Sequence, residues 1–199
     1  MSENLRFVFG LGNPGQQYER TRHNAGFLFI DRLGTTLGAE FRDSKDLECQ
    51  YARKKIVRGG RSLDLVLVKP LTYMNLSGIC FQKVVRFFKG KPENCIVVHD
   101  DVSLPLGKLR FQSAGGAGGQ HGIESIIAAL GGNKGFDRLK IGVGPDPGGD
   151  KRAAFVLARL SDSEIELLSR VLAAGEEGLM LWLDSGILKA ANDLNGLSF

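Results

Sequence analysis

The side chains best suited to acid–base chemistry in this sequence are few, and each lies beside a loop signal. Only three histidines occur. His23 follows Thr21-Arg22 and precedes an apolar helical pattern, His99 ends a short apolar run and precedes Asp100-Asp101, and His121 follows a glycine-rich stretch. A histidine near a carboxylate makes a general base, with the acid fixing the imidazole tautomer. Alternation along an extended run puts His99 and Asp100 on opposite sides of it, so His99 is read as structural. In open α/β sheets ligands gather at the carboxyl ends of strands. Strand ends near Asn13, before Asn75 and at Asp100 would bring two amides and an acid together with His23.

Other chemistries fit less well. Gly10-Leu11-Gly12-Asn13-Pro14-Gly15 matches the glycine spacing of a dinucleotide fingerprint. That site needs a helix opening at the third glycine, whereas Gln16 to Arg22 is polar with no apolar face. Gln16-Gln17 stands where a P-loop needs Lys followed by Ser or Thr. There is no G-x-S-x-G, so a serine nucleophile elbow is not expected and water is the expected nucleophile. A metal set drawn from His23, His99, His121, Asp100 and Asp101 lacks H-x-x-x-H or similar spacing. No metal or cofactor is expected.

The elements that must position these groups alternate between strand and helix. Arg6–Gly12 reads as a strand and Ala25–Leu37 as a helix, from Phe27, Leu28, Ile30, Leu33 and Leu37. Tyr51–Arg58 and Leu63–Lys69 read as strands around a Gly59–Gly60 turn, with Pro70 ending the second. Leu76–Phe88 reads as a helix with Asn75 as N-cap. Cys95–His99 has the β-branched, apolar character of a buried central strand. Lys108–Gln112 and Arg138–Val143 read as strands and Gly122–Leu130 as a short helix. Ser161–Ala173 is a helix opened by a Ser161/Glu164 capping box, and Leu179–Ala191 is a last helix. The glycine-rich stretches 115–122 and 142–149 are loops. The expected fold is α/β: a single domain over residues 1–199, with a mixed twisted β-sheet flanked by helices.

Composition agrees with that class. A chain of 199 residues, 43% hydrophobic and 24% charged, suits one globular core. No apolar run approaches the roughly 20 residues needed to span a bilayer, and no secretory signal is visible at the N-terminus. Cys49, Cys80 and Cys95 are odd in number and form no C-x-x-C pair, so a reducing cytoplasm is the expected setting. Residues 1–160 hold 24 Lys and Arg against 15 Asp and Glu, a balance of +9, while residues 161–199 hold 2 against 7, a balance of −5. A basic body with an acidic C-terminal segment suggests one face that attracts polyanions.

Specific blocks then resemble one family. FVFGLGNPG, Tyr18, Thr21-Arg22-His23-Asn24-Ala25-Gly26, Lys69-Pro70-Leu71-Thr72-Tyr73-Met74-Asn75-Leu76-Ser77-Gly78, His99-Asp100-Asp101 and the later glycine loops look like the bacterial-type peptidyl-tRNA hydrolases, in family order, from about Phe7 to Asn192. The resemblance implies hydrolysis of the ester between a peptide and tRNA, with His23 as catalytic histidine, Asp100 as its partner, and Asn13 and Asn75 as the positioning amides. It implies that Tyr18, Met74 and Gly119 line the peptide and 3′-end site. Arg110 and Lys140, with neighbours such as Lys108 and Arg138, would contact tRNA phosphate. It also implies a monomer that needs no metal. One departure concerns Gly118-Gly119-Gln120-His121-Gly122, where the family usually reads Gly-Gly-His-Asn-Gly. His121 thus replaces a substrate-contacting asparagine. A non-catalytic RNA-binding protein on the same scaffold is the alternative that this departure raises.

Overall fold

The computed structural model describes residues 4–199, so residues 1–3 of the expected domain lie outside the described residues. The strands are β1 (Leu5–Gly10), β2 (Arg42–Ser44), β3 (Cys49–Arg58), β4 (Arg61–Pro70), β5 (Cys95–Pro105), β6 (Leu109–Ser113) and β7 (Asp137–Gly144). The helices are α1 (Ala25–Leu37), α2 (Ser77–Phe87), α3 (His121–Ala129), α4 (Lys151–Leu157), α5 (Asp162–Ser185) and α6 (Ile187–Leu194). All seven strands form one mixed sheet in the order β2-β3-β4-β1-β5-β7-β6. The four central strands β4, β1, β5 and β7 run parallel, while β3 pairs antiparallel to β4, β2 to β3 and β6 to β7. The expected single α/β domain is the one observed.

Period-two alternation sorts the central strands onto two cores. Val8, Leu65, Leu67, Ile96, Val98, Leu139 and Ile141 face α1, α5 and α6. Phe7, Phe9, Val66, Val68, Cys95 and Val97 face α2 and α3. Both faces of the parallel strands are therefore covered, which explains their near-continuous apolar runs.

Several expectations need correction. The helices expected over Ser161–Ala173 and Leu179–Ala191 are instead one 24-residue helix, α5, followed by α6, with the break at Gly186. The interval between them holds Gly175 and Gly178, which look like an interruption. In the fold they are points of close packing: a Cβ on Gly178 would lie 2.3 Å from the Phe111 ring, and one on Gly175 would lie 3.0 Å from Phe29. Asn75 is not the cap of α2. The cap position is Leu76, without a side-chain bond, and Asn75 lies in a 3-10 turn, Met74–Leu76. Helix α4 and strand β2 were not expected. Neither contains a buried residue, so neither carries an apolar period.

The approach of α1 to the sheet is set by Gly26. A Cβ there would lie 2.4 Å from both Leu11 N and Val98 O, which are backbone atoms that hydrogen-bond each other at 2.9 Å. Gly26→Ala is expected to destabilise by about 3 kcal/mol, seen as a fall in Tm on the order of 10 °C. A Tm within about 2 °C of the unsubstituted chain would contradict this packing.

Candidate active site

The carboxyl ends of the parallel strands converge on a cavity of about 780 Å³. After β1 the chain passes through Asn13, after β4 it makes the 3-10 turn bearing Met74 and Asn75, and within β5 it carries Asp100. Asn13, His23, Met74, Asn75, Asp100, Gly119 and His121 all line this one cavity. The convergence expected from strand order is therefore present.

The centre of the site is a buried pair. His23 Nδ1 lies 2.9 Å from Asp100 Oδ2, with His23 9% and Asp100 3% exposed. A carboxylate only accepts, so Nδ1 carries the proton and Nε2 keeps its lone pair. Burial pushes the His23 imidazole down, but the charge and hydrogen bond of Asp100 outweigh it, and the net direction is up. His99 behaves oppositely. It is fully buried, its Nδ1 faces the Asp100 carbonyl at 2.8 Å, and burial holds it down at about 4. It therefore stays neutral near neutral pH, in keeping with a structural role.

Asn13 is braced from two sides. Its backbone amide donates to Asn24 Oδ1 at 2.8 Å, and Asn24 Nδ2 donates back to the Asn13 carbonyl at 3.0 Å. Asn13 Oδ1 accepts from Met74 N at 2.8 Å. A backbone N–H only donates, so the amide orientation is fixed and Nδ2 is left as the donor on the cavity wall. Asn24 was not singled out in the sequence, although it lies beside His23. A second omission is Gln120, 8% exposed, whose Nε2 donates to Asp100 Oδ1 at 3.0 Å.

Not every expected residue reaches the cavity. Tyr18 lies half-buried in a 3-10 turn, Gln16–Tyr18, and does not line it. Arg110 and Lys140 face each other across β6 and β7. Arg110 is exposed, whereas Lys140 is mostly buried and paired with Asp101 at 3.1 Å. Arg138 is not a phosphate contact, because its side chain is fully buried. Its guanidinium donates to the carbonyls of Gly115 and Gly116 at 2.5 Å each and stacks over Phe136. His121 lies on the rim, exposed, 3.0 Å from Glu124 Oε2.

The peptidyl-tRNA hydrolase family profile matches residues 7–198. The chain belongs to that family. A peptidyl-tRNA hydrolase of Akkermansia muciniphila is 39% identical over 197 residues, covering 99% of each chain. One of Thermotoga petrophila is 43% identical over 192 residues, covering 96% of this chain and 97% of its own. The crystal structure of peptidyl-tRNA hydrolase from Acinetobacter baumannii superposes with a TM-score of 0.89 at 29% identity, covering 100% of this chain and 98% of the other. Among the described residues no helix is long and apolar enough to cross a membrane.

The opposed pulls on His23 give a signed pH expectation. A base must be neutral to accept a proton, so activity should fall as pH drops through the raised His23 value. In Asp100→Asn the attraction is gone but the burial remains, so the acid limb of kcat/KM should move to lower pH. A limb that stays in place or moves up would show that Asp100 does not set the protonation of His23.

Proposed function

We propose that this member of the peptidyl-tRNA hydrolase family hydrolyses the ester joining a peptide, or another N-blocked aminoacyl group, to the 3′-terminal ribose of tRNA. The observation that carries the mechanism is the buried His23–Asp100 pair, which opens onto a cavity beside a fixed amide donor. An ester is activated relative to an amide, so positioned water suffices. His23 Nε2 takes a proton as the water oxygen bonds to the ester carbonyl carbon. The carbon–oxygen bond to the ribose then breaks, and the imidazolium returns the proton to the departing ribose oxygen. Asp100 stabilises the imidazolium in between. General-base help of this kind is typically worth roughly 10²–10⁴-fold.

Asn13 Nδ2 and the Asn75 amide serve the developing oxyanion and the peptide. One well-placed donor contributes about 3–4 kcal/mol to such a transition state. Met74, Gly119 and His121 line the same cavity and are assigned to the substrate, as is Tyr18 on the family resemblance alone, since it lies outside the cavity wall. A site built for a neutral peptide amide disfavours ordinary aminoacyl-tRNA, whose free ammonium would be desolvated there. Arg110, with Lys140 behind it, is assigned to tRNA phosphate, which binds without sequence preference. We propose further that the chain acts as a monomer in the cytoplasm, a compartment compatible with three free, buried cysteines.

Two measurements test this reading. His23→Ala should lower kcat/KM on N-acetyl-aminoacyl-tRNA by about a hundredfold or more, and a loss below about tenfold would remove the base assignment. Tight tRNA binding without release by the unsubstituted chain would favour the RNA-binding alternative. Binding should weaken steeply with salt, and Arg110→Ala should reduce the salt slope by about 1. An unchanged slope would exclude a phosphate contact at that position.

A further inference from the structure

The Asp100 carboxylate has two oxygens, and His23 engages only one of them. The other accepts from Gln120 Nε2 at 3.0 Å. Gln120 is the N-cap of α3, with extended backbone, and its Oε1 accepts from Ile123 N at 2.9 Å. The two ends of the amide are thereby assigned independently. Ile123 N–H only donates, so it must meet the oxygen, and the carboxylate only accepts, so it must meet the nitrogen. The same nitrogen lies 3.2 Å from Met74 Sδ. One side chain therefore ties Asp100, the Met74 turn and the start of α3 together.

The neighbourhood leaves this arrangement little freedom. A Cβ on Gly122 would lie 2.6 Å from Met74 Sδ and 3.0 Å from Gln120 Oε1. Helix α3 is itself seated on α2, where Gly78 N donates to Ser125 Oγ at 2.9 Å and a Cβ on Gly78 would lie 2.2 Å from Ser125 O. The donor is a carboxamide, standing where the family pattern usually has histidine, and a carboxamide keeps its proton at every working pH.

We propose that Gln120 is a positioning residue for the hydrolysis, holding the Asp100 carboxylate on His23 and linking that geometry to the N-terminus of α3. This rests on His23 being the base. A caping role alone would account for the bond to Ile123 N but not for the bond to Asp100, and the two roles separate by side-chain length. Serine is a good N-cap but is too short to reach Asp100 from this position.

The experiment compares Gln120→Ser, Gln120→Ala and Gln120→His with the unsubstituted chain and with His23→Ala. The readouts are kcat and KM on N-acetyl-aminoacyl-tRNA, the pH profile, and Tm. Gln120→Ser should hold Tm above that of Gln120→Ala. Both should nonetheless lose about tenfold or more in kcat, with KM changed by less than about twofold. Their acid limb should move to lower pH, because a loosened Asp100 no longer offsets the burial of His23. The other charged groups lining the cavity, Asp101, His121, Glu124, Asp150 and Arg152, are unchanged in these variants. Gln120→His, which restores a donor of similar reach, should recover kcat and return the limb toward its original place. Gln120→Ser with kcat within about twofold of the original and an unmoved limb would overturn the proposal, leaving the base assignment intact as long as His23→Ala stays inactive. An active His23→Ala would overturn both.

Discussion

The site depends on one buried charge. Asp100 is 3% exposed, and a carboxylate taken out of water costs several kcal/mol unless its oxygens are hydrogen-bonded. Here Oδ2 meets His23 and Oδ1 meets Gln120. Those partners come from the turn before α1 and from the cap of α3, which lie on opposite faces of the sheet. The carboxylate is satisfied only when both faces are assembled, so the geometry of the proposed site is also one that folding favours. The pair is in this sense preorganised: its cost is met when the chain folds and not when substrate binds.

The same economy governs the amides. Asn13 and Asn24 exchange two hydrogen bonds, and Asn13 then holds Met74 N. Each bond uses a backbone group that would otherwise go unpaired at the end of a strand or in a turn, where ladder partners have run out. The loop after β1 and the turn after β4 thereby fix each other, and Asn75 follows Met74 onto the cavity wall. Gly26 lets α1 lie against Leu11 and Val98, which places His23, just ahead of that helix, within reach of Asp100. Gly10 belongs to the same packing, since a Cβ there would lie 2.2 Å from the Gly26 carbonyl oxygen, whereas Gly12 makes room for the Phe27 ring.

Legibility in the sequence followed the strength of local signals. Helix α1 has its expected bounds because its apolar period is regular, and the structure adds the closing residue, Gly38, in the left-handed conformation. The capping box at Ser161 and Glu164 makes both of its bonds. Strand β5 was visible as a buried run of β-branched residues. Helix α4 was not visible, since an element with no buried residue has no period to show. Arg138 was misread because an arginine in a strand looks like a surface cation, while its burial depends on the carbonyls of Gly115 and Gly116, more than twenty residues away. The convergence of His23, Asp100, Asn13 and Asn75 on one cavity was legible from the motif blocks and the strand order, although Asp100 lies inside β5 and not at its end, because the strand continues past the apolar run to Pro105. Gln120 was not, because its role arises only where α3 meets β5.

Two histidines lie near one carboxylate, and the fold separates them by environment. His99 points to the opposite side of β5 from the Asp100 side chain and meets only the Asp100 carbonyl, so burial dominates and holds it at about 4. His23 receives the carboxylate itself, and its net shift is up despite burial. Environments that push paired titratable groups apart are what the proposed division of roles between His23 and His99 rests on. The distinction follows from strand alternation: adjacent residues of β5 face opposite layers, so His99 has the Asp100 backbone carbonyl as its hydrogen-bond partner, while the two carboxylate oxygens are taken by His23 and Gln120.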